Sequence, residues 1–252
     1  MKFYKILNED EVHNGFKYQT GLNVNTETFN PCGTCLGGGL YFTREDIFAF
    51  LEYGPWIREV TLPYDAQVYS DSESPKKWKA DMILLGERKR INSEIIENLL
   101  LEGANIHAAD DKALTWAAAR GYTEIVEMLL EHGAYVNACR SCPLRFAVEN
   151  GHIKVVKILL KYGADLHAES DYALRTASWN NHVAIAKLLL KHGADVHAVS
   201  DYSLRLAALN GYFKMSKLLI EHGADVHVLC NISLYLANTN GHNKIVELLS
   251  KH

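Results

Sequence analysis

No window of the sequence approaches the ~18 uninterrupted apolar residues of a membrane span, and the start, MKFYKILNED, lacks the apolar run of a signal peptide. There is no surplus of positive charge either. The formal net charge is -4, whereas a nucleic-acid binder working by bulk charge runs basic. Cysteine is sparse and odd in number, five in all at Cys32, Cys35, Cys139, Cys142 and Cys230. That count argues against a disulfide framework and fits free thiols in a reducing compartment. These absences describe a soluble intracellular protein with neither a membrane nor a nucleic-acid partner. What the chain has in quantity is apolar material: 48% of its 252 residues are hydrophobic, enough for one large domain or two ordinary ones.

Much of that material is periodic. Glycine recurs every 30 residues at Gly103, Gly133, Gly163, Gly193 and Gly223, and a second column runs Gly121, Gly151, Asn181, Gly211 and Gly241. Between the columns lie related strings such as GYTEIVEMLLEHGAYVNA and GYFKMSKLLIEHGADVHV, whose apolar residues fall at helical spacing, as in Ile125, Val126, Leu129 and Leu130. A glycine then stops each helix where a left-handed residue satisfies the last carbonyls. A shorter helix precedes each one, with Ala117, Ala147, Ala177, Ala207 and Ala237 in register, as close helix packing requires. Five such helix pairs follow a leading helix, NSEIIENLLLEGA.

The joints between repeats are short. Asp111, Ser141, Asp171, Asp201 and Asn231 each stand three before the repeat leucine and are good N-cap types. Arg175 and Arg205 stand four residues after Asp171 and Asp201, at pairing distance on a helix. An exposed capping pair is favoured here over an anion-binding column. Ten of the 12 histidines also fall on repeat columns. Column members sit about one helix-packing distance apart, roughly 10 Å, while zinc needs ligands about 2 Å away, so these are scaffold histidines and no metal is expected. Cys139 and Cys142 fill ordinary turn positions of one repeat.

Residues 1–90 follow a different pattern. KFYKIL, GFKYQTGLNV, GGLYFT and IREVTLP read as strands, REDIFAFLEYG as a helix with a glycine stop, and DAQVYSD and KADMILLGERK as further short strands. This is a small α+β domain, and residues 91–252 form the repeat domain, a leading half repeat plus five helix pairs. A stacked array needs a cap, so residues 1–90 are expected to pack onto the first repeat. The segment NPCGTCLGGGLYFT (30–43) admits a CxxC metal or redox site, a nucleotide pocket, or a glycine loop turning into a strand. The loop is favoured, because the glycines open a strand rather than a helix and the CxxC lacks partners.

The strings GADVHA and L-x-x-A-x-x-x-G-H-x-x-I-V-x-x-L-L resemble the ankyrin repeat from roughly Asn92 to the end. The family repeat is about 33 residues; here the Thr-Pro-Leu-His segment has shrunk to SCPLR, DYALR and DYSLR, so blunt fingers or simple turns are expected. The implied fold is mainly α, a solenoid of short ankyrin repeats after a small α+β domain. The whole arrangement is similar to ankyrin proteins of giant DNA viruses of the mimivirus type, which implies a viral protein acting inside a host cell, in its cytoplasm. A fainter likeness links Gly37, Gly39, Tyr41 and Phe42, the following helix and Glu59-Val60 to ADP-ribosyltransferases. In those enzymes the tyrosine stacks on nicotinamide and a histidine on the first strand grips the ribose. Tyr41 alone matches; the first strand has no histidine, His13 falls in the next turn, and Glu87 is an unsupported candidate for the catalytic glutamate.

The ankyrin resemblance implies a non-enzymatic module that binds a host or viral protein through its concave face. The candidate partner-binding residues are Arg140, Glu149, Tyr172, Trp179, Asn180, Tyr202 and Asn210, with Trp179 the principal anchor and Trp116 assigned to the core. No catalytic residue, cofactor or metal is assigned. The alternative is an NAD-binding or ADP-ribosyltransferase-like N-terminal domain, with Gly39 and Tyr41 in its nicotinamide pocket, targeted by the repeats.

Overall fold

A computed structural model describes residues 2–31, 38–70 and 74–252. The chain forms two compact units, Met1–Trp116 with Glu127–Tyr135, and Ala117–Val126 with Val136–His252.

The first unit is built on short antiparallel strands: β1 Phe3–Leu7, β2 Val12–His13, β3 Phe16–Lys17, β4 Gly21–Val24, β5 Leu40–Phe42, β6 Trp56–Thr61, β7 Val68–Ser70, β8 Trp78–Ala80, β9 Met82–Leu85 and β10 Lys89–Arg90. The main sheet runs β1-β6-β9-β4, with β10 also on β6, and a second runs β5-β8-β7. Pairing of Phe3 with Val60 and of Leu7 with Trp56 sets the register of β1 on β6. One-residue alternation then sends Leu7, Leu40, Phe42, Val60, Ile83 and Leu85 into a common core.

The segment read as an ordinary helix is a 3-10 helix, Ile47–Tyr53, that buries Ile47, Phe48, Ala49 and Leu51. Three residues per turn stack Phe48 over Leu51, which suits a short apolar run pressed against a sheet. It ends at Gly54, where a Cβ would clash with the Leu7 carbonyl. Deep in this unit Arg58 makes two bonds to Glu11, at 2.8 and 3.0 Å, and two more to Thr20 and the Gly86 carbonyl.

Helix α1, Ser93–Leu101, is capped by Asn92, whose side chain accepts from the Ile95 amide. The strands hold it within the same unit. The Tyr4 hydroxyl bonds Glu102 at 3.0 Å, Asn105 reaches Asp46 at 2.8 Å, and Lys112 pairs with Glu52 at 2.9 Å.

The repeats supply α2 Ala108–Arg120, α3 Thr123–Glu131, α4 Ala138–Glu149, α5 Ile153–Lys161, α6 Ala168–Trp179, α7 Val183–Lys191, α8 Ala198–Leu209, α9 Phe213–Glu221, α10 Val228–Thr239 and α11 Asn243–Leu249. In the second unit α4, α6, α8 and α10 pack in series, and so do α5, α7, α9 and α11. The alanine column, Ala147, Ala177, Ala207 and Ala237, is completely buried, as the small side chain predicts. The second glycine column has two reasons to be glycine. Gly211 has φ +75°, and a Cβ there would lie 2.7 Å from the His242 ring. That ring reaches back to the Leu209 carbonyl at 3.0 Å, as His152 does to Ala119 and His182 to Glu149. Where the column carries Asn181, φ is still positive at 56°, and the next repeat has Tyr212 in place of the histidine.

Candidate functional site

Each repeat joint is a turn of left-handed helix. Three consecutive residues have φ between 50 and 57° at Glu169, Ser170 and Asp171 and again at Val199, Ser200 and Asp201, and the same run occurs at 109–111, 139–141 and 229–231. The turn closes when the Asp171 amide donates to the His167 carbonyl at 3.2 Å. Among the described residues no hairpin finger forms at these joints; the blunt joint expected from the missing residues takes this shape.

The column read as exposed N-caps does something else. Asp111, Ser141, Asp171 and Asp201 are all at most 4% exposed. Asp171 Oδ1 accepts from the Asp195 amide at 2.8 Å, Asp201 does the same for Asp225, and Asp111 for Tyr135. Each carboxylate therefore ties its joint to the next one. The preceding histidine ring lies against it, with Nδ1 at 3.2 Å for His167–Asp171 and 3.1 Å for His197–Asp201. In the one repeat with serine, Asn137 takes over and accepts from the Asp165 amide at 2.7 Å. Cys139 and Cys142 lie side by side within this joint, their sulfur atoms in contact.

The arginines do not pair back to the aspartates, which are sealed beneath the turn. Arg175 donates to the Glu169 and Ser170 carbonyls at 2.7 and 3.0 Å, and Arg205 to the Val199 carbonyl at 2.9 Å. In these two joints the arginine that follows the left-handed turn gathers its carbonyls. The guanidinium groups also lie on tyrosine rings: Arg145 and Arg175 on Tyr172, Arg175 and Arg205 on Tyr202.

Beside this array is an open groove of about 410 Å³ lined by Glu149, Tyr172, Arg175, Trp179, Asn180 and Tyr202, with Thr176 and Leu206 at its floor. Trp179 is 53% exposed, whereas Trp116 is buried. Asn180 bonds back to the Glu149 carbonyl at 3.4 Å. Of the sequence candidates, Arg140 instead pairs with Glu169 at the joint, and Asn210 bonds the Leu206 carbonyl; neither lines the groove. Arg175 is the lining residue that sequence reasoning assigned elsewhere. Its signal was the Tyr-x-x-Arg spacing repeated at 172–175 and 202–205.

The model of ankyrin repeats matches residues 87–170, 143–200 and 174–252. The chain belongs to the ankyrin repeat family. Relatives include the ankyrin repeat protein R868 of Acanthamoeba polyphaga mimivirus, 38% identical over 127 residues that make up 48% of this chain and 62% of that protein. The ankyrin repeat protein R229 of the same virus is 36% identical over 48% of this chain and 44% of its own length. The match thus spans less than two thirds of either relative. Protein R869 of that virus is 37% identical, over 91% of its length. Ankyrin repeats imply a protein-interaction module. Among the described residues no helix is long and apolar enough to cross a membrane.

Ahead of the ankyrin repeats, the second candidate region surrounds Tyr41 on β5. The Cys32–Cys35 pair and Gly37 lie outside the described residues. Gly38 has φ +81° and its amide donates to Glu27 at 2.7 Å, forming the turn that leads into β5. Gly39 packs on Lys79, whose Cγ and Cε would lie 2.5 Å from an added Cβ. The Tyr41 carbonyl accepts from the buried Lys5 Nζ at 2.6 Å. Burial lowers the Lys5 pKa to about 7, and burial together with the Lys5 charge lowers that of His13 to about 4. His13, read as a turn residue, is on β2, with its ring 6.5 Å from Tyr41 and 5.7 Å from Tyr53. Lys5, His13, Tyr41 and Tyr53 line a cavity of about 50 Å³, and His13, Gly38, Gly39 and Tyr41 line a recess of about 270 Å³; neither is lined by Glu87, which belongs to a separate recess with Glu59 and Glu102.

Proposed function

We propose that the chain is a non-enzymatic binding module that holds a host or viral protein against the groove between Tyr172, Trp179 and Tyr202. The observation that carries this reading is the convergence of five of the candidates, Glu149, Tyr172, Trp179, Asn180 and Tyr202, on one open groove. Trp179 half out in solvent is what an interface anchor requires, since a rigid ring buries much area at little entropic cost. Relatives from Acanthamoeba polyphaga mimivirus support the viral part of this reading. The test is capture of partners from infected cells. Trp179→Ala and Tyr202→Ala should each leave the thermal midpoint near that of the parent while abolishing capture. Loss of folding instead would return both rings to the core.

One observation favours the nucleotide alternative: the His13 ring lies near Tyr41. Two oppose it. The first strand presents the buried amine of Lys5 where a ribose-gripping histidine belongs. The recess that holds both Gly39 and Tyr41, with His13, measures about 270 Å³, just under the roughly 300–1,000 Å³ of small-molecule sites. Calorimetric titration with NAD is expected to read no binding; a saturable heat would restore the alternative.

A further inference from the structure

The chemistry of the partner is narrowed by the charges around the groove, an inference that rests on the binding-module reading. Arg145, Arg175 and Arg205 occupy one position in three successive repeats and interleave with Tyr172 and Tyr202. In order, the guanidinium carbons lie 4.5, 5.4, 5.9 and 4.9 Å from the ring centroids: Arg145 to Tyr172, Arg175 to Tyr172, Arg175 to Tyr202, Arg205 to Tyr202. The rings, and for Arg175 and Arg205 the turn carbonyls, hold these groups in place, but neither supplies a full negative charge. Among the described residues no carboxylate forms an ion pair with any of the three, and Arg145 Nε and Arg205 Nε are buried without a hydrogen-bond partner. Arg140 at the neighbouring joint, by contrast, is neutralised by Glu169 at 3.2 Å.

A row of oriented, uncompensated guanidinium groups beside an aromatic wall is complementary to carboxylates next to apolar side chains. We propose that the groove takes an acidic peptide segment of its partner, with a carboxylate over Arg175 and an adjacent apolar side chain against Trp179. Glu149, an exposed carboxylate that also lines the groove, repels a second carboxylate beside it and so restricts where along the groove the acidic residue lies. The aromatic faces bury the apolar residue, and the arginine row supplies register along the stack.

The test is to pan a random peptide library on the full chain and to measure a selected, fluorescein-labelled peptide by anisotropy. Selected peptides should place Asp or Glu beside a large apolar residue. Their affinity should fall at least about tenfold in Arg175→Gln and less in Arg175→Lys, and should weaken between roughly 50 and 500 mM salt. The salt series needs no variant, so it stands even where an arginine substitution disturbs the turn. Selection of basic or uncharged peptides, an affinity indifferent to both salt and Arg175→Gln, displacement by oligothymidine, or a library with no binder would overturn the inference. Trp179→Ala separates the two levels. If it abolishes binding while Arg175→Gln does nothing, only the acidic assignment fails; if binding survives Trp179→Ala, the groove itself is not the site.

Discussion

Replacing Asp171 by alanine tests whether the aspartate column is a set of buried latches or a set of exposed caps. The native carboxylate is 4% exposed and accepts from the Asp195 amide at 2.8 Å and the His167 ring at 3.2 Å. A hydrogen bond from a backbone amide to a charged acceptor contributes about 1.5–3 kcal/mol. The histidine bond belongs to an exposed ring and is discounted to below about 1 kcal/mol. Alanine at φ 53° also loses the tolerance for left-handed backbone that aspartate has, a few tenths to about 1 kcal/mol. The sum is about 2–5 kcal/mol, and Asp171→Asn, which keeps one acceptor and the backbone tolerance, should lose less than half of it. Asn231 already fills the same column, with the His227 ring 2.7 Å from its side-chain oxygen. Urea unfolding followed by circular dichroism reads both variants. A loss under about 0.5 kcal/mol for Asp171→Ala, the size of an exposed pair, would refute the latch.

Other substitutions isolate other contacts. Gly211→Ala and Gly223→Ala both force alanine to positive φ, but only Gly211 has a histidine ring within reach of the new Cβ. Gly211→Ala should therefore cost about 1–3 kcal/mol more, and His242→Ala should remove most of that difference in a double-mutant cycle. Arg58→Met leaves buried Glu11 to the longer 3.5 Å contact with half-exposed Arg88 and should cost toward the lower end of about 3–5 kcal/mol in thermal or urea unfolding, while adding Glu11→Gln to Arg58→Met should recover part of it. The His13 pKa is lowered on folding to about 4, so the unfolded chain binds more protons between pH 6.5 and 4, and stability falls as the solution is acidified through that window. His13→Gln should flatten this part of the pH profile of the melting temperature; an unchanged slope would place the titrating group elsewhere.

The legibility of this protein follows from the range over which its information is written. Helix pairs, their glycine stops and the buried alanine column repeat within 30 residues, and each uses local rules: an apolar period, a left-handed stop, a small side chain at a close approach. They could be read in one dimension. The groove was half legible, because Tyr172, Trp179 and Tyr202 were found as aromatics on the first helices of the repeats, but Trp116 and Trp179, one helical turn apart in repeat register, differ only in what packs over them.

Local propensity was misleading wherever the deciding partner lies in another repeat. Asp171 is an excellent cap by type, yet its acceptor is spent on an amide 24 residues away, and Arg175, thereby deprived of that carboxylate, turns to carbonyls and aromatic faces. The 3-10 winding of Ile47–Tyr53 was likewise set by the sheet beneath it and by the approach of Gly54 to β1, not by its apolar spacing. The sequence alone determined the periodic stack, because each repeat encodes its own two helices. Tertiary structure decided which polar groups are buried, which charges remain uncompensated and which rings face solvent, because those depend on neighbours that only stacking brings together.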